Sequence, residues 1–312
     1  MSVEVTMNEV TKELLKEVSD YKGEFKGAFN IREDGQCVGR QNSENIKIES
    51  KEDGSGIEVR IAPDTQGERV YIPACITRSK VSDLVYNDFF VGDGADVIII
   101  AGCGIHTDNE GEAKHNGIHR FFLGKGSHVL YQEKHLGKGR RLDAFRRIDP
   151  VTDAVLSEDS CLEMDTVQLG GVDSTVRKTT AKLEKGARLL VRERIMTDGE
   201  DRAETDFYVE MNGEDSAVDL VSRSVAKGDS YQEFKSVIVG NEKCKGHSEC
   251  DAILVGNGRV KALPALEAAN LDAELVHEAA IGKIAGEQII KLKTLGLTEE
   301  EAEEKIISGF LK

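Results

Sequence analysis

The sequence predicts a mainly β protein: one large β body set between an N-terminal helical and irregular segment and a C-terminal pair of helices. Three observations predict it. Short apolar-rich runs follow one another from residue 57 to about 260 with no convincing amphipathic helix among them. A turn leading into an apolar strand recurs along that stretch. Beyond it the apolar residues change to helical spacing.

The N-terminal region covers residues 1–56. Val10, Leu14, Leu15 and Val18 recur at helical spacing among charged residues, so the chain begins with a helix. Glu33-Asp34-Gly35-Gln36 and Glu52-Asp53-Gly54-Ser55-Gly56 then read as turns in a polar, glycine-rich stretch.

The β body covers residues 57–263. Its runs are Ile57–Ile61, Val70–Ile76, Val97–Ala101, Phe121–Leu123, Val129–Gln132, Cys161–Leu169, Arg188–Arg192, Asp206–Met211, Ala217–Arg223, Glu233–Val239 and Ala252–Val255. Many alternate apolar with polar residues, the mark of a half-buried strand. The recurring unit is seen at Gly92–Val97, Gly124–Val129 and Glu184–Leu189, and more loosely at Asn212–Ala217 and Gly256–Val260. Turn–strand units that stack, each burying its face on the next, suggest a β-solenoid. Their spacing is irregular, and a sandwich or a jelly roll fits the same pattern.

Pro264 reads as the close of the β region, which leaves residues 264–312 as a helical domain. A helix is expected over Glu274–Leu295, with Ile281, Ile284, Gln288, Leu292 and Leu295 near one face. Gly296 suits its end. Thr298 and Glu301 form a capping box for a second helix running to about Phe310, with Ala302, Ile306 and Phe310 as its apolar stripe. Such a pair is either a lid on the β body or a docking platform.

Charge excludes some functions. Lys and Arg number 41 against 57 Asp and Glu, a net −16, and there is no Trp. A polyanion is repelled by such a surface, so no nucleic-acid partner is expected. The densest basic cluster, Lys134, Lys138, Arg140, Arg141, Arg146 and Arg147, reads as a solvated turn. No apolar run of about 18 residues occurs, and no membrane span is expected. The first residues are acidic and polar, unlike a secretory leader, so a cytoplasmic location is expected. The six cysteines, Cys37, Cys75, Cys103, Cys161, Cys244 and Cys250, are dispersed and lack any C-x-x-C, which suits reduced thiols.

Five of the seven histidines lie between His106 and His135. His115 and His119 could clasp a metal from one helix face, but the intervening Asn116-Gly117 argues for a turn. No phosphate-binding loop, dinucleotide fingerprint or nucleophile elbow is present. No pair of carboxylates stands out as acid and base, so no catalytic residue is assigned and the chain is expected not to be an enzyme.

The C-terminal fifth carries more. Cys250 lies in Ser248–Gly256, and His277 and Glu278 lie in Val276–Ile284, with Glu267 between them. Thiolate, imidazole and carboxylate suit iron in a sulfide cluster: sulfur holds it, and the harder ligands leave it labile. The same residues also read as a strand-end thiol and a helix-end His and Glu.

These segments resemble the SufB/SufD family, scaffold proteins of the Suf iron–sulfur cluster assembly machinery. The resemblance rests on Glu249–Gly256, Pro264–Glu267, His277-Glu278-Ala279, Gly282-Lys283-Ile284, Glu287-Gln288, Gly296-Leu297, Glu300-Glu301-Ala302 and Ile306–Phe310, in that order. It continues more weakly upstream to about residue 60. It implies a right-handed parallel β-helix flanked by helical termini, and so selects among the all-β alternatives. It implies C-terminal helices that dock a SufC-type ABC ATPase, subunits paired through the ends of their sheets, and a transient iron–sulfur cluster passed to downstream apo-proteins. It places the cluster ligands at Cys250, His277 and Glu278, with Glu267 as a further acidic position. The chain is similar to the compact form found in two-component systems, where one scaffold pairs with itself as a homodimer. The family's mid-barrel sulfur-receiving cysteine has no counterpart here, since Leu183 or a neighbour stands at that place. Two other readings are open: a regulatory subunit of the ATPase carrying no cluster, and a β-helix enzyme acting on carbohydrate from its lateral face.

Overall fold

The computed structural model describes residues 7–107, 110–139 and 144–312. Met1–Thr6 and, from the basic cluster, Arg140 and Arg141 lie outside the described residues.

The chain winds between two facing sheets, leaving a strand in one and then the other. The first sheet runs, in spatial order, β2 (Gln36–Gln41), β1 (Ala28–Glu33), β5 (Gln66–Tyr71), β8 (Asp96–His106), β10 (His128–Lys138), β13 (Cys161–Gln168), β15 (Arg188–Thr197), β17 (Ala217–Ala226), β19 (Lys245–Leu254) and β21 (Glu274–Lys283), with β6 (Ala74–Ile76) beside β1 and β8. The second runs β20 (Arg259–Ala268), β18 (Tyr231–Gly240), β16 (Arg202–Met211), β14 (Ser174–Leu183), β11 (Ala144–Ile148), β9 (Gly111–Leu123), β7 (Ser82–Val91), β4 (Gly56–Ile61) and β3 (Ile46–Ser50), with β12 (Val151–Leu156) beside β14 and β9. Neighbouring strands are parallel, apart from the hairpin pairs β1–β2 and β3–β4. This is the parallel β-helix that the resemblance implied, with about eight coils. The β pattern also reaches further toward the N-terminus than expected, taking in residues 28–50.

Alternation explains the packing. In β15 every second residue is buried, and the register stacks like on like: Leu162, Leu189 and Val218 form one column, and Met164, Val191 and Leu220 another. The recurring turns form a column too. Asp64, Gly94, Gly126, Asp159, Gly186 and Asp215 all sit at φ between +57° and +67°. Each donates its N–H to a carbonyl of the next coil, at 2.7–3.0 Å. The left-handed conformation admits Gly freely and Asp at modest cost, which explains why only those two residue types appear in this column.

Helix α1 (Glu9–Val18) lies on the outer face of the first sheet, with Leu14 and Leu15 buried against Phe29, Ile31, Tyr71 and Ile100. Its seat is Gly102-Cys103-Gly104. A Cβ at Gly102 would stand 2.2 Å from the Val18 carbonyl oxygen, and one at Gly104 would touch Leu14 at 3.1 Å. Those glycines bring a helix close, while Cys103 between them points inward.

The C-terminal expectation needs correction. Glu274–Lys283 is a strand, β21, paired in parallel register with β19, and helix α2 spans only Gly286–Thr294. Pro264 lies within β20 rather than ending the β region. A proline is tolerated there because β20 is an edge strand, one side of which needs no N–H. Helix α3 (Glu299–Phe310) begins with the expected capping box, and Gly296 takes φ +95° after α2. Ile307 of α3, with Leu311 just after it, anchors the helix on Val225, Ile253, Val255 and Ile284, and Ala302 is buried as well. Helix α2 buries no residue and leaves Ile290 exposed, with Leu295 exposed just beyond its end. No helix is long and apolar enough to cross a membrane among the described residues.

Candidate functional site

Cys250 lies in the middle of β19 on its inward face and is 1% exposed. Burial, with the Glu193 and Asp251 carboxylates nearby, pushes its thiol up to about 12. It ends a column of inward residues in strict register: Glu133, Thr166, Glu193, Ser222 and Cys250, followed by Ala279 on the last strand.

That column is polar where an apolar core is expected. Arg177, fully enclosed, forms an ion pair with Glu133 and reaches Glu193 at 3.4 Å. Ser222 donates to Glu193 at 2.8 Å and Thr205 at 3.1 Å. Tyr131 donates to Glu133 at 2.9 Å and meets His119 Nδ1 at 2.8 Å. Burial alone would favour neutral Glu133, but Arg177 and His135 override it and hold Glu133 well below the usual carboxylate range. Burial prevails at Glu193 and pushes its carboxyl up despite Arg177. Burial also lowers His119 to about 4, so that ring is neutral.

The other expected ligands fall in different places. His277 follows the register of buried Ser248, so it faces inward on the last coil, where its Nδ1 is enclosed without a partner. Glu278 is the next residue of the same strand and therefore faces outward. It pairs in register with Glu249, and its carboxylate lies 3.6 Å from His247 Nε2. Ligand atoms of His247, Glu249 and Glu278 all lie within 4.8 Å of one another. Burial and the neighbouring Asp251 push the Glu249 carboxyl up, while Asp219 raises His247. Glu267 lies on β20 and is exposed; its neighbour Leu266 follows the inward register of Ile238, so Glu267 faces outward on the opposite sheet. Within one chain, then, Cys250 and His277 share the interior, and Glu278 and Glu267 lie on two separate outer faces.

His115 and His119 both lie on β9, which runs unbroken through Asn116-Gly117 where a turn was expected. Gly117 makes room there, since a Cβ would come within 2.6 Å of His119 Nε2. Leu183 is fully buried in the apolar core. All six cysteines are free thiols.

Sequence reasoning missed Glu133, Arg177 and Glu193 inside and His247 and Glu249 outside. A signal for Glu193 was present: it stands in phase with Leu189, Val191 and Ile195, at a position alternation reserves for the core.

The last coil is open on its outer side. Both β20 and β21 are edge strands, each ten residues long, and no strand covers their far sides among the described residues. Leu266 and Ile281, which would be core residues one coil earlier, are 38% and 40% exposed. Such an edge is a template for pairing with another chain.

Known proteins place this architecture. Residues 84–310 match the family described as the SUF system FeS cluster assembly, SufBD core domain. An iron-sulfur cluster assembly SufBD family protein of Archaeoglobus fulgidus is 30% identical over 88% of this chain and 72% of its own length. One of Methanothermobacter thermautotrophicus is 28% identical over 84% of this chain, which spans 64% of that protein. One of Methanocaldococcus jannaschii is 25% identical over 100% of this chain and 99% of its own. The matched segment takes in the polar column, Cys250, the open last coil and both C-terminal helices, and the chain belongs to the SufBD family of iron–sulfur cluster assembly proteins.

Proposed function

We propose that this chain is a scaffold on which an iron–sulfur cluster is assembled and from which it is handed to apo-proteins, and that it works with a SufC-type ABC ATPase. The observation that carries the reading is that Cys250 and His277 both face the interior on the last two coils of the barrel, two residues apart in register. The thiol closes a polar column, and the imidazole beside Ser248 on the last coil has a nitrogen with no partner in the protein. The cluster is cargo. Cys250 must lose its proton to hold it, against the burial that raises its thiol.

One chain brings too few ligands together. Pairing through the β20 and β21 edges of two copies sets Cys250, His277 and the outer Glu278 of each around a two-fold axis. Helix α2, with Ile290 exposed and Leu295 close by, is the surface on which the ATPase docks. ATP is hydrolysed by that partner, and the chain itself hydrolyses nothing.

Anaerobic reconstitution with iron and sulfide tests the site. Cys250→Ala with His277→Ala should abolish most cluster formation; an undiminished yield sinks the assignment. A regulatory subunit carrying no cluster is the second reading, favoured by the deep burial of Cys250. It predicts no cluster on the unaltered chain, yet full stimulation of the ATPase.

A further inference from the structure

A second group of metal-ligating side chains lies on the outer wall of the first sheet, away from Cys250. Asp96, His128 and Cys161 are the first residues of β8, β10 and β13, and they stand side by side in register. Glu163 follows two residues after Cys161 on the same face. Three strand spacings of about 4.8 Å and five residues of about 3.3 Å rise put this group roughly 20 Å from Cys250.

The histidine is clamped. Its Nδ1 lies 2.9 Å from Asp96 Oδ1, and its Nε2 lies 3.0 Å from Glu163 Oε1. A neutral imidazole has one N–H and can satisfy only one of two carboxylates. The second contact calls for a cation between nitrogen and oxygen, either a proton or a metal ion. Ligand atoms of His128, Cys161 and Glu163 all lie within 4.8 Å of one another. Ligand atoms around a tetrahedral ion with bonds of about 2.0–2.3 Å stand roughly 3.5 Å apart. Rotations of the side chains close that gap without moving the strands.

We propose that His128, Cys161 and Glu163 form a divalent transition-metal site, with Asp96 as the residue that positions His128. Asp96 accepts the Nδ1–H, which leaves the Nε2 lone pair for the ion, the arrangement in which a carboxylate orients a metal-bound histidine. One nitrogen, one sulfur and one oxygen donor favour borderline ions such as Zn²⁺, Co²⁺ or Fe²⁺ over Mg²⁺ or Ca²⁺. Arg188, the in-register neighbour of Cys161 on β15, offsets part of the negative charge. The partial exposure of His128 and Glu163 leaves a fourth position open to water, so the ion exchanges.

The test is anaerobic titration of the full chain with Co²⁺, read as the near-ultraviolet band of thiolate-to-cobalt charge transfer. The unaltered chain should develop that band at stoichiometric Co²⁺. Cys250→Ser should retain it, and adding Cys161→Ser to that variant should abolish it. Asp96→Asn, at an exposed position that does not threaten folding, should weaken Co²⁺ binding about 10- to 100-fold. Zn²⁺ should erase the band, and a large excess of Mg²⁺ should leave it. A band that survives Cys161→Ser in the Cys250→Ser protein, the lack of a band in the unaltered chain, or displacement by Mg²⁺ overturns the proposal. In those cases the group is a hydrogen-bonded network that holds no metal.

Discussion

Replacing Arg177 with Met should be the most destabilising single change in the barrel interior. The guanidinium is fully buried, pairs with Glu133, and stands 3.4 Å from Glu193. At that distance, with an effective dielectric constant of about 20, one pair is worth roughly 5 kcal/mol of Coulomb energy. Much of this offsets the cost of taking the charges out of water. Removing one partner is different, because it leaves a buried carboxylate uncompensated, at about 3–5 kcal/mol. In a chain of this size that lowers Tm by roughly 5–15 °C. The pH dependence gives a sharper criterion. In the native protein Glu133 is held below its ordinary value of 4.5, so its stabilisation is present above that value and is lost as pH falls through the folded one. Without Arg177, burial raises Glu133 instead, and the penalty exists only where an unfolded carboxyl would be ionised. The stability gap between native and variant protein should therefore be wide near pH 8 and narrow toward pH 5, by urea unfolding followed with circular dichroism. Glu133→Gln in the variant should recover most of the loss. A deficit under about 1 kcal/mol, or one that does not change with pH, refutes this account of the polar column.

Two further outcomes follow from the same structure. Gly102→Val places a side chain against the Val18 carbonyl; it should lift helix α1 and expose Leu14 and Leu15, each worth about 1.5–3 kcal/mol of burial, so that limited proteolysis cuts the N-terminal segment while the β signal in circular dichroism persists. Ile281→Lys puts a charge on the inward face of the last coil, whose far side no strand covers among the described residues. It should shift the chain toward monomer by at least tenfold in light scattering, with folding intact; an unchanged dimer would rule out pairing through that end.

Much of the architecture was legible in local patterns. Alternation marks β15 and β17 as strands because a strand with one buried face repeats every second residue. The turn repeat is readable because the left-handed position admits few residue types, and Thr298 with Glu301 announces α3 because a capping box satisfies its own helix end. The charged interior was less legible. Glu133, Arg177 and Glu193 lie on three different strands in two sheets, and only stacking shows that Arg177 meets both carboxyls.

Cys250, His277 and Glu278 divide along the same line. Residue types and their order were enough to single them out, and with the resemblance they indicated the family and its iron–sulfur chemistry. Where they point was decided by tertiary structure. Residues 274–283 carry apolar positions that suit a helix, yet the exposed edge of β19 takes them as a strand, since a ladder of hydrogen bonds outweighs a weak local preference. Once they are a strand, consecutive side chains must face opposite ways. That places His277 inside with Cys250 and sends Glu278 outside to His247 and Glu249, a separation that no spacing along the sequence could reveal.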